Sequence, residues 1–211
     1  MRALIRRYNS ERGELRMRNI KKRNVRFILL IAIIISLLTT PLIASAYTLQ
    51  PYKLDKSKTL NFVPHSGFGS TSVSHFNEAL WEWNSESGYT LMTRSASTTH
   101  NKTDYPNNDG NNYIYRVNAG SGYVAQCTTY YNSSTGIASS SDININMYYA
   151  WANSAQPGAY DVWSVFLHES GHTAGLGHSS ISSAVMYKSI STNTTKRYLT
   201  TDDKLGINSL Y

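Results

Sequence analysis

Cysteine is almost missing from this chain: among 211 residues Cys127 is the only one. A single thiol makes no internal disulfide, so stability has to come from a packed core and from any bound ions. Proline is sparse too, with five residues, each placed where an element stops or a loop runs. There are no internal repeats. An excess of positive charge is also absent once the N-terminal stretch is set aside. The chain carries a formal +7, but residues 1–46 hold 10 Lys and Arg against 2 Asp and Glu, and the remaining 165 residues hold 10 against 11. That balance gives no electrostatic support for a nucleic-acid partner.

The basic N-terminal stretch has the form of an export signal. Arg18, Lys21, Lys22, Arg23 and Arg26 precede the apolar run from Phe27 to Leu38, and Pro41 and the small residues Ala44, Ser45 and Ala46 follow. This fits a signal peptide over residues 1–46 cleaved after Ala46, with Met17 as an alternative start. Cleavage predicts a secreted, extracellular, monomeric protein without stable membrane contact. The alternative is a membrane anchor through residues 27–46, whose 20 uncharged residues are just long enough to span a bilayer. Ser36, Thr39, Thr40 and Pro41 interrupt that run and favour cleavage. A polar lead-in, residues 47–58, then precedes a domain over 59–211, long enough to bury a good core.

The most informative stretch runs from His168 to His178 and reads HExxHxxGxxH. On a helix, His168 and His172 lie one turn apart and project from one face, where two imidazoles can grip one metal ion. Glu169, beside the first ligand, is placed to act on a water at the metal rather than on the metal itself. Gly175 suits a helix end, because glycine takes the left-handed conformation at little cost. Gly177 adds freedom to the turn, and His178 supplies a third nitrogen. Three histidines leave one tetrahedral position open, as catalytic zinc sites do. No glutamate follows Glu169, so a downstream glutamate cannot be the third ligand and His178 takes that place.

The rest of the sequence predicts a mixed set of elements. Leu60–Val63 reads as a strand stopped by Pro64. Val73, Phe76, Leu80 and Trp83 form the apolar stripe of a helix capped by Thr71 or Ser72 and closed at Gly88. Strands are predicted over 89–95, 113–117 and 123–131, with a polar loop over 97–112. In the strand 141–147, Ile143, Ile145 and Met147 share one face and Asp142, Asn144 and Asn146 the other. Asp161 caps the metal-binding helix, with Val162, Val165 and Phe166 as its apolar stripe. A last helix is capped by Thr201. Asp202 and Asp203 sit in its first turn, and Leu205 and Leu210 face inward.

The motif, Ser179 directly after His178, and Met186 eight residues beyond it resemble the metzincins, and among them the matrixins. Asp161 to Val165, the Ser141-Asp142-Ile143 strand and the closing Leu199–Tyr211 segment are similar as well. The resemblance covers most of 59–211. It implies an α+β fold: a mixed, mostly parallel five-stranded sheet with three helices, and a zinc cleft between an upper and a smaller lower subdomain. It implies that Met186 floors the metal site. It also implies a second zinc and calcium in many members, for which no ligand set is located here; His65, His75 and His100 read as ordinary polar residues. Two departures stand out. Cys127 lies inside the domain, where no propeptide cysteine belongs, and Asp55 in the lead-in reads as an ordinary solvated acid, with reach to the metal in that cysteine's place as the alternative. Lys188 replaces the family's proline after the methionine-tyrosine pair, which leaves the side-chain pocket of the substrate in question.

The expected function is a zinc metalloendopeptidase acting on proteins or peptides. His168, His172 and His178 hold one zinc, Glu169 serves as general base, and the substrate lies along the strand 123–131. The alternative is a catalytically silent, secreted zinc-containing binding module.

Overall fold

A computed structural model describes residues 46–103 and 106–211, with residues 16–18, 22 and 24. The export-signal reading therefore lies almost wholly outside the described residues. Among those described, no helix is long and apolar enough to cross a membrane.

The first strand, β1 (Leu60–Pro64), alternates, with Leu60, Phe62 and Pro64 turned to the core. Helix α1 (Ser70–Ser87) follows. Phe76, Ala79, Leu80 and Trp83 are buried at spacings of three and four, so one stripe faces inward. Val73 is only half-buried. The helix starts earlier than predicted: Gly69 is its N-cap, and no side chain caps it. Its end is at Gly88 as expected, with φ 73°. Three short or medium strands come next, β2 (Met92–Arg94), β3 (Asn112–Val117) and β4 (Ala125–Asn132), and then the long β5 (Ile137–Asn146).

These five form one sheet in the order β2-β1-β3-β5-β4. Every pair is parallel except β4 with β5. The antiparallel strand β4 is thus left at an edge, with one row of its main-chain groups not paired to a strand. A separate pair, β6 (Trp151–Ala152) and β7 (Tyr160–Asp161), leads into helix α2 (Val162–Thr173).

β5 alternates as predicted but is buried on both faces. Ile143 and Ile145 join the core under the helices, while loops cover the polar face and satisfy part of it. Asp142 accepts the Tyr113 N–H at 2.8 Å. Asn146 accepts the Ala119 N–H and donates to the carbonyls of Gly120 and Tyr123.

α2 packs on α1 through Phe76 and Phe166, whose rings lie 4.5 Å apart, and through the Trp83 indole N–H on the Leu167 carbonyl. Asp161 caps α2 by accepting the Ser164 N–H at 3.0 Å and is paired to Arg197.

The last helix, α3 (Thr201–Leu210), is capped by Thr200 rather than Thr201. Its inward face carries Asp203, Gly206 and Ile207. Leu205 is exposed, contrary to expectation. It lies two residues from both Asp203 and Ile207, about 200° around the helix from each.

The fold is α+β, with a mixed, mostly parallel five-stranded sheet and three helices over residues 46–211. The lead-in is no loose tail. Residues 46–54 run as a strap over the turn that follows α2: Gln50 N–H bonds the Gly175 carbonyl, and Gly177 N–H bonds the Thr48 carbonyl.

Candidate active site

α2 presents His168 and His172 from one face, and the helix must then reverse the chain. It does so in a Schellman turn. Gly175 N–H returns to the His172 carbonyl at 2.9 Å, and Leu176 N–H to the Gly171 carbonyl at 3.0 Å. Gly175 has φ 100°, and a Cβ there would also press on the Tyr52 carbonyl of the strap. Gly177 serves differently from what its sequence context suggests. Its φ is not left-handed; the glycine leaves room for Thr48, which crosses over it and donates its hydroxyl to the His178 carbonyl at 2.8 Å.

The turn delivers His178 to the other two. Ring centroids are 4.7 Å apart for His168–His172, 4.9 Å for His172–His178 and 5.3 Å for His168–His178. One ligating nitrogen from each ring lies within 4.8 Å of the other two.

The donor set suits a divalent cation. His168 Nδ1 is 2.8 Å from the Val185 carbonyl, and His172 Nδ1 is 2.8 Å from the Leu176 carbonyl. A carbonyl only accepts, so each Nδ1 carries the proton and each Nε2 keeps a lone pair. Burial, reinforced by the neighbouring imidazoles, pushes His168 down to about 3. Burial also lowers His172 and His178. All three rings are therefore neutral and ready to ligate near pH 7. The nitrogen-only set and its open side match a catalytic zinc site.

Glu169 is 7% exposed. Burial raises its pKa to about 8, although the Cys127 main-chain N–H on its carboxylate pulls the other way. A cation at the triad would bring that value down.

Beneath the triad lies the turn at Met186. The methionine is 1% exposed, and its sulfur fills the space that a Cβ on Gly171 would need. What holds this turn is Asp203, which the sequence marks only as an acid near a helix start. Its carboxylate accepts the N–H groups of Val185 (2.9 Å) and Met186 (3.0 Å) as well as the Thr200 N–H and hydroxyl. Asp202 takes the Ser179 hydroxyl. α3 thus fixes the Val185 carbonyl that orients His168.

The triad opens into a cleft of about 680 Å³. The start of β4 with Gln50 and Tyr52 of the strap forms one part of its lining; Val185, Tyr187 to Ile190 and Lys196 form another. Tyr52 donates its hydroxyl to the His172 carbonyl at 3.0 Å, a role its polar surroundings in the sequence do not suggest. Cys127 is in the β4 wall, its thiol among the hydroxyls of Thr129, Ser141 and Thr173, and burial raises its pKa. Asp55 does not reach the triad. It is tied to Ser57 and takes no part in the cleft. The His65 and His100 rings meet edge to face with centroids 5.3 Å apart, and His75 pairs with Glu78.

Comparison with known proteins agrees with this geometry. The matrixin family model matches residues 57–211. Metalloendoproteinase 2-MMP of Arabidopsis thaliana is 51% identical over 53 residues, which is 25% of this chain and 14% of that protein. Metalloendoproteinase 1-MMP of the same plant is 55% identical over 53 residues, 25% of this chain and 15% of the relative. Metalloendoproteinase 1 of Glycine max is 53% identical over 53 residues, covering 25% and 17%. The matched stretch is thus a minor part of each relative's length.

Proposed function

Because the chain belongs to the matrixin family, we propose that it is a secreted, zinc-dependent metalloendopeptidase that hydrolyses internal peptide bonds of proteins. The observation that carries this is the convergence of His168, His172 and His178 beside a buried Glu169, in a cleft bordered by a sheet edge. His168, His172 and His178 would hold the zinc. When bound, zinc supplies an electrophile that polarises the peptide carbonyl and makes water more acidic.

The chain's own residues do the rest. The edge main-chain groups at the start of β4 bind an extended substrate as an added strand and set the scissile bond over the triad. Glu169 takes the proton of the attacking water and passes it to the leaving amine. Its carboxylate stays aimed through the Cys127 N–H. The Val185 and Leu176 carbonyls keep the imidazoles in the ligating tautomer. Met186 and the buried turn exclude water from beneath.

Export would follow from the leader over residues 1–46. The mature protein would begin at Tyr47 and keep most of the strap.

Incubating the purified protein with a denatured protein substrate, with and without a chelator, tests the reading. Cleavage that the chelator abolishes and added zinc restores is the expected result. Zinc bound without any cleavage would instead indicate a catalytically silent binding module.

A further inference from the structure

The wall of the cleft outside β4 carries charge that peptide hydrolysis does not use. Lys196 is set into it by its own N–H on the Ser164 hydroxyl at 2.7 Å. Its ammonium donates to the carbonyls of Ser182 (2.7 Å) and Ala184 (2.9 Å) and lies 5.1 Å from the centre of the Tyr187 ring. These partners carry only partial charges. Asp203 attracts it, but that carboxylate is buried and already accepts four hydrogen bonds from Val185, Met186 and Thr200.

Lys188 stands at the mouth of the same wall. It is exposed and lines the cleft together with His178 and Lys196. Among the described residues neither lysine forms an ion pair. Glu169 is the one carboxylate in the cleft lining, and it faces the triad as the proposed base. Two cations thus border one concavity, Lys196 half-buried in it and Lys188 exposed, with no fixed counterion, so an anion there gains more than it would in open water.

We propose that Lys188 and Lys196 form a subsite for a substrate carboxylate, so that the cleft prefers peptides bearing one within a residue or two of the scissile bond. The carboxylate can come from an Asp or Glu side chain or from a free chain end. The proposal rests on the endopeptidase reading above. It gives Lys188, where the resembling family has proline, a role in selecting substrate.

Peptide pairs that differ only as Glu or Gln at each position flanking the cleaved bond test it, each made with a free and an amidated C-terminus. The expected result is a kcat/KM ratio of about fivefold or more for Glu over Gln at one position, shrinking as salt is raised. A preference that follows the free C-terminus instead also supports the carboxylate subsite and assigns its ligand to the chain end. Lys188→Glu should reverse the preference towards Lys at the same position. Lys196→Met should weaken it; if that variant does not fold, Lys188→Glu decides alone, since its exposed side chain carries no part of the fold.

Equal cleavage of Glu and Gln peptides at every position with either end overturns the proposal. So does a Lys188→Glu variant with an unchanged preference. Cleavage without acidic preference leaves the protease reading standing. A complete lack of chelator-sensitive cleavage removes that reading and this one together.

Discussion

Asp142 is a carboxylate set in the middle of a sheet at 1% exposure, with one oxygen accepting the Tyr113 N–H. Burial raises its pKa to about 6, against the opposing pull of the Tyr113 N–H. A folded-state value above the unfolded one means that its favourable contribution is complete below about pH 4 and is lost as pH rises through about 6. The loss is on the order of 3 kcal/mol by neutral pH. Asp142→Asn keeps an acceptor for Tyr113 and never ionises. Its Tm should therefore match the parent at pH 4 and exceed it at pH 7.5, as read by thermal melts across that range; a destabilisation of the same size at both pH values would contradict this origin. The alternation of β5 could be read from the sequence. The burial of its polar face could not, because that depends on which loops cover it.

Two elements hold the metal turn, and they differ in how visible they are beforehand. Gly175 announces itself, since a helix that carries two ligands has to reverse before the third, and only glycine takes the required φ cheaply. Gly175→Ala combines a φ of 100° with a press on Tyr52. It should cost about 2 kcal/mol or more in denaturant unfolding and weaken zinc affinity as well.

Asp203 gave no such warning. An acid in the first turn of a helix is ordinary, and nothing local says that it reaches back to residues 185 and 186. Asp203→Ala leaves the N–H groups of Val185 and Met186 without their acceptor, at a cost of about 3 kcal/mol or more. Because Val185 orients His168, zinc affinity should fall with it, as measured by competition with a chromophoric chelator. The strap over 46–54 was equally hidden. Its hold is mostly main chain to main chain, which leaves no pattern in side chains.

Across the whole molecule, the three proposed ligands come from a helix and from a turn that is pinned by the strap on one side and by α3 on the other. A cation at their centre would tie these parts together and, by binding only the folded chain, would stabilise it. Chelation should lower the Tm by about 10 °C, given roughly 4 kcal/mol of linkage at a thousandfold excess over Kd and a domain of this size. Added zinc should restore it in calorimetry, and an unchanged Tm would mean that the metal does not join these elements. The sheet and helices could be anticipated because their apolar periods are strong, as at Phe76, Leu80 and Trp83. The convergence of His168, His172 and His178 could be anticipated because the motif's spacing encodes both the helix and its end. The inward face of α3 was misjudged at Leu205, since a short helix with few apolar residues leaves its rotation to tertiary contacts.

The central claim is that three imidazoles hold one zinc while Glu169 moves the proton. The most direct measurement compares zinc content and turnover of a peptide substrate in the parent and in Glu169→Ala. One zinc per chain in both proteins, with turnover lower by about 100-fold or more in the variant, is the predicted result. A parent that binds no zinc, or a variant that cleaves as fast as the parent, would contradict it.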